Sequence, residues 1–226
     1  MKNAGIILCF IFICCGEWTY SQSNSFTPEW AYGINGGVTF SKVSFNSYIS
    51  IPQVLLRQYS GGITLRYISE SHFGLQMELN YSQRGWKERV DTIHVNRYAR
   101  SLTYLELPLL THIYFSLGKS ARMFFNLGPQ VGYYIGAKQL EREITDPQQN
   151  TDYYDIAIQH PFDYGLKGSL GIEFRTKSGS ILLEGGYYFG LSDIFNNTQT
   201  DIFQASHNQV IGVNISYLLR RGSKKP

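Results

Sequence analysis

The chain has 226 residues, of which 43% are hydrophobic, 15% aromatic and 16% charged, and its formal net charge is +3. Charged residues make up about 25% of an average soluble domain, so this chain is poor in charge. A mean hydropathy of -0.20 and the lack of an apolar run of about 20 residues exclude a helical membrane protein. The hydrophobic fraction excludes a disordered chain, and the small net charge gives no argument for nucleic acid as a partner.

The first residues have the features of a secretion signal. Lys2 precedes a short apolar stretch, residues 4–15, and polar residues follow it. Small residues before Gln22 match a signal peptidase site, which predicts a signal peptide over residues 1–21 and one mature domain over residues 22–226. All 3 cysteines lie in the predicted signal peptide. We therefore expect a mature chain without disulfides or thiolate metal ligands.

From residue 30 onward, apolar residues alternate with polar or small residues with a period of two, which is the pattern of β-strands. Met123, Phe125 and Leu127, for example, alternate with Phe124 and Asn126. Eight segments follow the rule: residues 32–40, 63–68, 73–82, 104–115, 121–135, 164–174, 181–189 and 211–217.

Three features favour a membrane barrel over a soluble one. Each apolar face covers about 8–10 residues, the length that a tilted strand needs to cross a bilayer. The opposite face is rich in Gly, which suits the inside of a narrow barrel. The connections alternate between short turns, near residues 69–72, 117–120 and 176–180, and long loops, near residues 42–60, 86–101, 137–161 and 191–206. The sequence therefore predicts an all-β, eight-stranded antiparallel transmembrane β-barrel, an up-and-down meander with the short turns facing the periplasm.

Outward-facing aromatic residues are predicted to form two belts, one near the end with the short turns (the turn end) and one near the end with the long loops (the loop end). The first belt comprises Tyr32, Tyr67, Phe73, Phe115, Phe125, Phe174 and Tyr217, and the second comprises Phe40, Tyr81, Tyr133, Tyr164 and Phe189. Amphipathic rings prefer the headgroup level of a membrane, so two belts are typical of an outer-membrane barrel.

Charged residues lie on the face that is predicted to point inward, and their signs nearly balance. This predicted network comprises Arg66, Glu78, Arg84, Glu106, Arg122, Lys167, Glu173, Arg175 and Glu184. Eight strands leave just enough room inside for side chains, and buried charges must be paired. We therefore predict a plug of charged pairs without an open water channel, in which Glu106 pairs with Arg122 or Arg66. The alternative is a path for a small solute or for protons along these groups.

Four segments of the chain resemble the PorT-like outer-membrane β-barrel family. They are residues 104–110 (YLELPLL), 126–133 (NLGPQVGY), 163–174 (DYGLKGSLGIEF) and 186–194 (GYYFGLSDI). The resemblance runs from about residue 32 to residue 219. It implies an eight-stranded outer-membrane barrel and a link to protein secretion, because the protein that gives the family its name is part of an outer-membrane secretion apparatus. The chain departs from many such barrels at its C-terminus, where residues 218–226 follow the aromatic Tyr217.

Motifs for catalysis or metal binding are weak. The 5 histidines have no spacing typical of metal ligands. The acidic residues of the longest loop, from Glu141 to Asp155, are spaced too irregularly to indicate a calcium site. The pair Ser206 and His207 is a weak candidate for a lipid-modifying enzyme. We therefore expect no catalytic residue, no cofactor and no metal.

The leading interpretation is a non-enzymatic protein in the outer membrane of a Gram-negative bacterium, with a structural or interaction role in the cell envelope. Its expected partners are outer-membrane lipid and other envelope proteins. It would contact the proteins through its outer loops or through the short basic tail at residues 220–225. The alternatives are an accessory component of an outer-membrane protein secretion apparatus, a lipid-modifying outer-membrane enzyme and, more weakly, a soluble ligand-binding barrel.

Overall fold

The computed structural model describes residues 26–47, 52–90, 95–146, 154, 156–196 and 203–222, so the predicted signal peptide lies outside the described residues. The strands are β1 (Glu29–Ser47), β2 (Gln53–Val54), β3 (Leu56–Glu70), β4 (Phe73–Glu88), β5 (Arg97–Ser116), β6 (Ala121–Glu143), β7 (Phe162–Arg175), β8 (Ser180–Gly190) and β9 (Phe203–Gly222). Within these residues, no helix has the length and apolar character needed to cross a membrane.

Eight strands close into a ring of antiparallel neighbours. The order around the ring is β1, β3, β4, β5, β6, β7, β8 and β9, and β9 pairs with β1. The two-residue strand β2 is separated from β3 only by Leu55 and pairs with the loop end of β4, so it continues the same wall. The predicted all-β, antiparallel up-and-down barrel is therefore confirmed, with a short ninth strand that the sequence pattern did not indicate.

The apolar faces of the strands point outward. Leu107, Leu127 and Val213 are 48%, 49% and 47% exposed, whereas Glu78 is 6% exposed. Of the 12 aromatic residues assigned to the two belts, all except Tyr67 and the half-buried Phe40 are exposed. The outer surface is thus apolar with aromatic residues near both ends, as contact with lipid requires.

Several strands are longer than a membrane crossing. β5 has 20 residues and β6 has 23, whereas about 9–11 tilted residues suffice to cross the hydrocarbon core. Parts of the predicted long loops, near residues 86–101 and 137–161, therefore belong to strands. The reason is that backbone pairing continues beyond the membrane, as in the pairs Lys87 with Ala99 and Arg97 with Glu143.

Inside the ring, two apolar layers enclose a charged layer. The turn-end apolar layer consists of Ala31, Ile68, Tyr114, Phe124, Leu182 and Leu218. The loop-end apolar layer consists of Val43, Trp86, Tyr98, Leu102, Tyr104, Tyr154, Ile194 and Phe195. The prediction of an interior filled by charged pairs missed these layers. The inward faces of the strands carry apolar residues such as Phe124 and Leu102 as well as charged ones, so the filling of the interior is mixed.

Candidate functional site: the charged barrel interior

At the centre of the charged layer, Lys167 on β7 pairs with Glu78 on β4. The Lys167 Nζ lies 2.9 Å from the Glu78 Oε2. Gln76 donates a hydrogen bond to Glu78 Oε1 at 2.6 Å, and Asn80 donates one to Oε2 at 2.9 Å. Both carboxylate oxygens therefore have donors, which is what a buried charge requires to be tolerated.

A second pair lies closer to the turn-end apolar layer. Arg66 on β3 is 1% exposed, and its Nη1 lies 3.2 Å from Glu173 Oε2 on β7. Its Nε and Nη2 both donate to Gln76 Oε1, at 2.8 and 2.6 Å. Gln76 thus connects Arg66 to Glu78, so the two ion pairs form one network across the barrel.

A third group of charges lies under the loop-end apolar layer and centres on Arg84 of β4. Its Nη2 lies 2.8 Å from Asp163 Oδ2, and its Nη1 lies 3.7 Å from Glu106 Oε1. The guanidinium carbon is 3.8 Å from the ring centre of Tyr104 and 5.1 Å from that of Tyr188. None of the Arg84 side-chain nitrogens has a well-aligned hydrogen bond, so the cation is held by charge and by the aromatic faces.

The predicted partner of Glu106 is therefore wrong: Glu106 pairs with Arg84 and not with Arg122 or Arg66. Height along the barrel explains the difference. Glu106 is opposite Gly132 on β6, and Arg122 lies ten residues farther down that strand. That separation is roughly 30 Å along the strand, far beyond the reach of a side chain.

Asp163 was absent from the predicted network although it is central to it. Tyr188 donates to its Oδ2 and Ser192 to its Oδ1, both at 2.7 Å. Its position was recoverable from the sequence, because Asp163 lies an even number of residues before Lys167 and Glu173 and so shares their inward face. The predicted strand begins one residue later, at residue 164, whereas β7 begins at Phe162, so the alternation alone did not include Asp163.

Three predicted members lie apart from these pairs. Glu184 is 4% exposed and accepts a hydrogen bond from Asn126 Nδ2 at 3.3 Å, with no salt bridge to any described residue. Arg175 pairs with Glu29 at 2.6 Å at the turn end. Arg122 packs over Tyr114 with its guanidinium carbon 4.2 Å from the ring centre. The structure therefore divides the predicted network into central charges, to which Glu184 belongs without a salt bridge of its own, and two arginines, Arg122 and Arg175, at the turn end.

Two glycines make room for the buried side chains. A Cβ on Gly132 would lie 2.9 Å from Arg84 Nη2, and a Cβ on Gly171 would lie 2.4 Å from Phe124 Cζ. Atoms at such distances overlap. The glycines on the inward faces of β6 and β7 are therefore needed for Arg84 and Phe124 to occupy the interior.

The space left inside is small. A cavity of about 40 Å³ lies among Glu106, Lys167, Tyr188 and neighbouring polar groups. This volume holds about two or three water molecules, whereas sites for small ligands usually measure about 300–1,000 Å³. The charged layer thus has room for water and not for a substrate.

The comparison with protein families decides the class of the chain. The family model described as outer membrane protein beta-barrel domain matches residues 20–196, which is more than half of the chain. The chain belongs to this family. It is accordingly a protein of the Gram-negative outer membrane, in contact with membrane lipid.

Several solved structures have a similar course of the chain. Ail of Yersinia pestis is 12% identical, with 86% of this chain and 100% of that chain covered and a TM-score of 0.40. Neisserial surface protein A is 12% identical, with 83% and 96% covered and a TM-score of 0.45. The outer membrane enzyme PagL is 11% identical, with 82% and 98% covered and a TM-score of 0.37. Such distant likeness carries no functional argument, and no curated protein matches the chain.

Ser206 and His207, the weak candidates for a catalytic pair, are not arranged as a nucleophile and its base. Ser206 is 0% exposed, and its Oγ accepts hydrogen bonds from the backbone N–H groups of Ile194 and Phe195, each at 3.0 Å. The His207 Nδ1 lies 3.1 Å from the Ser192 carbonyl oxygen. Ser206 therefore holds Ile194 and Phe195, at the start of the β8–β9 connection, against β9.

Metal ligands do not cluster in the described part of the chain. No group of three or more His, Cys, Asp or Glu side chains is arranged there to hold an ion. Of the acidic loop considered for calcium, Asp152 and Asp155 lie outside the described residues. His112 points inward, where its Nδ1 is 2.7 Å from Asn126 Oδ1, so it belongs to the polar packing of the barrel.

Proposed function

We propose that this outer-membrane protein is a closed, non-enzymatic barrel with a structural and interaction role in the cell envelope. The observation that carries the proposal is the enclosure of the charged layer between two apolar layers. A path for water or ions requires a continuous polar lumen, as in the larger porins. Here Phe124 and Leu182 close one end, and Trp86 and Phe195 close the other.

The loop end is the part that we propose to meet other envelope proteins. β5 and β6 extend beyond the membrane. Leu140 near the outer end of β6 and Ile144 directly after it are 43% and 44% exposed. Apolar side chains displayed in water by a rigid wall are suited to contacts with a protein partner. A rigid wall also reduces the entropy that such a contact would lose.

Two alternatives have less support. A lipid-modifying enzyme would need an accessible nucleophile, whereas the Ser206 hydroxyl is buried and engaged by two backbone groups. The accessory role in secretion rests on the resemblance alone. It predicts a stable complex with other envelope proteins that survives extraction from the membrane.

The proposal is tested by reconstituting the purified protein into planar lipid bilayers and recording single-channel currents. We expect a flat baseline, with the same preparation giving the heat-dependent gel shift of a folded barrel. Stable stepwise conductance from folded protein would contradict the closed barrel. In parallel, the acylation pattern of membrane lipids in cells that express the protein should match that of cells without it, and a changed pattern would contradict the non-enzymatic role.

A further inference from the structure

The turn end of the barrel carries a strongly basic cleft. It measures about 400 Å³ and lies between the β5–β6 turn, the β7–β8 turn and the end of β9. Five of its ten lining residues are basic: Lys119, Arg122, Arg175, Lys177 and Arg220. None of the ten described lining residues is acidic, and most of the others are small or carry a hydroxyl group. We call this site the basic cleft.

The carboxylates nearest to the basic cleft each form an ion pair with a single arginine, and one of these arginines lies outside the cleft. Glu29 lies 2.6 Å from Arg175, and Glu173 lies 3.2 Å from Arg66 in the charged layer. Arg122 has no salt bridge to a described residue. The cleft therefore holds more positive charge than the neighbouring side chains neutralise.

Arg122 gives the independent indication of a ligand. Its Nη1 is buried and has no hydrogen-bond acceptor among the described residues. Arg175 is close enough to repel it electrostatically, and Arg220, whose Nη2 donates to the Thr176 carbonyl oxygen, closes the same cleft. A buried guanidinium nitrogen without an acceptor is costly. Arg122 as a whole is half-buried and lines the cleft, so an anion there would neutralise a cation that has no carboxylate partner among the described residues.

We propose that the basic cleft binds a phosphate group. Guanidinium groups match phosphate oxygens with two parallel hydrogen bonds, and ammonium groups add point charges. Arg122 and Arg220 contribute guanidinium groups from the barrel wall, and Lys119 and Lys177 approach from two turns. Convergence of cations from three separate segments suits a compact anion with several oxygens better than a single carboxylate.

The location of the cleft leaves two sources for the phosphate. The turn end faces the periplasm in barrels of this class. Phe115, Phe174 and Tyr217 are exposed on the outer wall beside it, at the expected level of the phospholipid headgroups of the inner leaflet. The phosphate therefore belongs either to such a headgroup, whose acyl chains would lie along the wall, or to a free phosphate in the periplasm.

The test uses the full-length protein in a non-ionic detergent and a variant with Lys119→Ala and Lys177→Ala. Both lysines lie at turns, so the variant should fold and give the same heat-dependent gel shift. The matched control replaces two exposed lysines of the loop end, Lys42→Ala and Lys138→Ala. Each protein is titrated with inorganic phosphate, phosphatidylglycerol, diacylglycerol and succinate, and binding is followed by calorimetry and by native mass spectrometry.

We expect a phosphate-containing probe to bind the wild type and the control equally, and to bind the turn variant about tenfold more weakly or not at all. Phosphatidylglycerol that binds while inorganic phosphate does not would assign the site to a lipid headgroup. Inorganic phosphate that binds with the same sensitivity to the turn lysines would assign it to the free ion. Equal binding of succinate, equal losses in both variants, or no binding of either phosphate probe would overturn the proposal.

Discussion

The two ends of the barrel interior are closed by different kinds of residue. The turn-end apolar layer consists entirely of strand side chains, such as Phe124 on β6 and Leu182 on β8, two strands separated in the ring only by β7. The loop-end apolar layer combines strand residues such as Trp86 with Tyr154, Ile194 and Phe195, which lie outside the strands. The first layer is therefore fixed by the hydrogen-bonded ladder, and the second also depends on contacts that keep the loops in place.

This difference has a consequence for stability. The backbone of a paired strand cannot shift far when a neighbouring side chain is truncated, so the truncation leaves a cavity. A loop residue can shift to fill part of the space. The charged layer between the two ends is least tolerant, because removal of one charge leaves its partner buried without compensation.

The largest effect is expected from Arg84→Met, at the border of the charged layer and the loop-end apolar layer. The substitution leaves Asp163 and Glu106 buried without their cation, which should lower the free energy of unfolding by about 3–5 kcal/mol. The measurement is equilibrium unfolding in urea with the protein in lipid vesicles. The control is Arg97→Met, which breaks an ion pair with Glu143 that is 59% and 66% exposed, and should cost at most about 1 kcal/mol. Equal losses in the two variants would contradict the account.

The next comparison sets the two apolar layers against each other. Phe124→Ala in the turn-end layer should cost about 3–5 kcal/mol, because the strands around it cannot close the cavity. Phe195→Ala in the loop-end layer should cost less, because its loop can rearrange. Both variants are compared by the same urea unfolding. A larger loss for Phe195→Ala would show that the loop end, and not the turn end, is the rigid closure.

A smaller effect is expected from added volume. Gly171→Ala brings a Cβ against Phe124 and should cost about 1–3 kcal/mol by overpacking. Gly185→Ala is the matched control, because a Cβ at that position meets nothing within 4 Å. The midpoint of the heat-dependent gel shift should fall for the first variant and stay unchanged for the second. An unchanged midpoint for Gly171→Ala would mean that Phe124 moves freely.

The smallest effect concerns the closure of the loop end. Ser206→Ala removes the acceptor for the N–H groups of Ile194 and Phe195 and should cost about 1–2 kcal/mol. The loss should be local, so the amide hydrogens of these two residues should exchange faster while those of β6 do not change. Ser178→Ala in an exposed turn is the control. Uniformly faster exchange over the whole barrel would contradict a local role.

The alternation of residues along the strands was sufficient to predict which side chains point into the barrel and which point outward. The inward positions of Arg66, Glu78 and Lys167 follow from the period of two, and so does the outward position of Leu107. The alternation does not give the height of a residue in the ring, because the stagger between neighbouring strands is set by the barrel as a whole. For that reason the partner of Glu106 was assigned incorrectly.

Other features had no local signal. Phe124 and Leu182 share the inward parity of the charged residues, and their grouping into one layer depends on strands far apart in the sequence. Tyr154 and Phe195 are loop residues without periodicity. Their burial follows from the extension of the wall beyond the membrane, which brings the loops over the mouth of the barrel.

The claim on which the account depends is that the charged layer is sealed from both sides, and cysteine accessibility tests it most directly. The only 3 cysteines lie at positions 9, 14 and 15, so unmodified protein provides the background. Ser169→Cys places a thiol in the charged layer, where Ser169 is 4% exposed, and Ser178→Cys places one in an exposed turn. In folded protein in lipid vesicles open to reagent on both sides, a charged, water-soluble maleimide should label Ser178→Cys rapidly and leave Ser169→Cys unlabelled until the barrel is unfolded. Labelling of both cysteines at similar rates in the folded barrel would contradict the sealed interior.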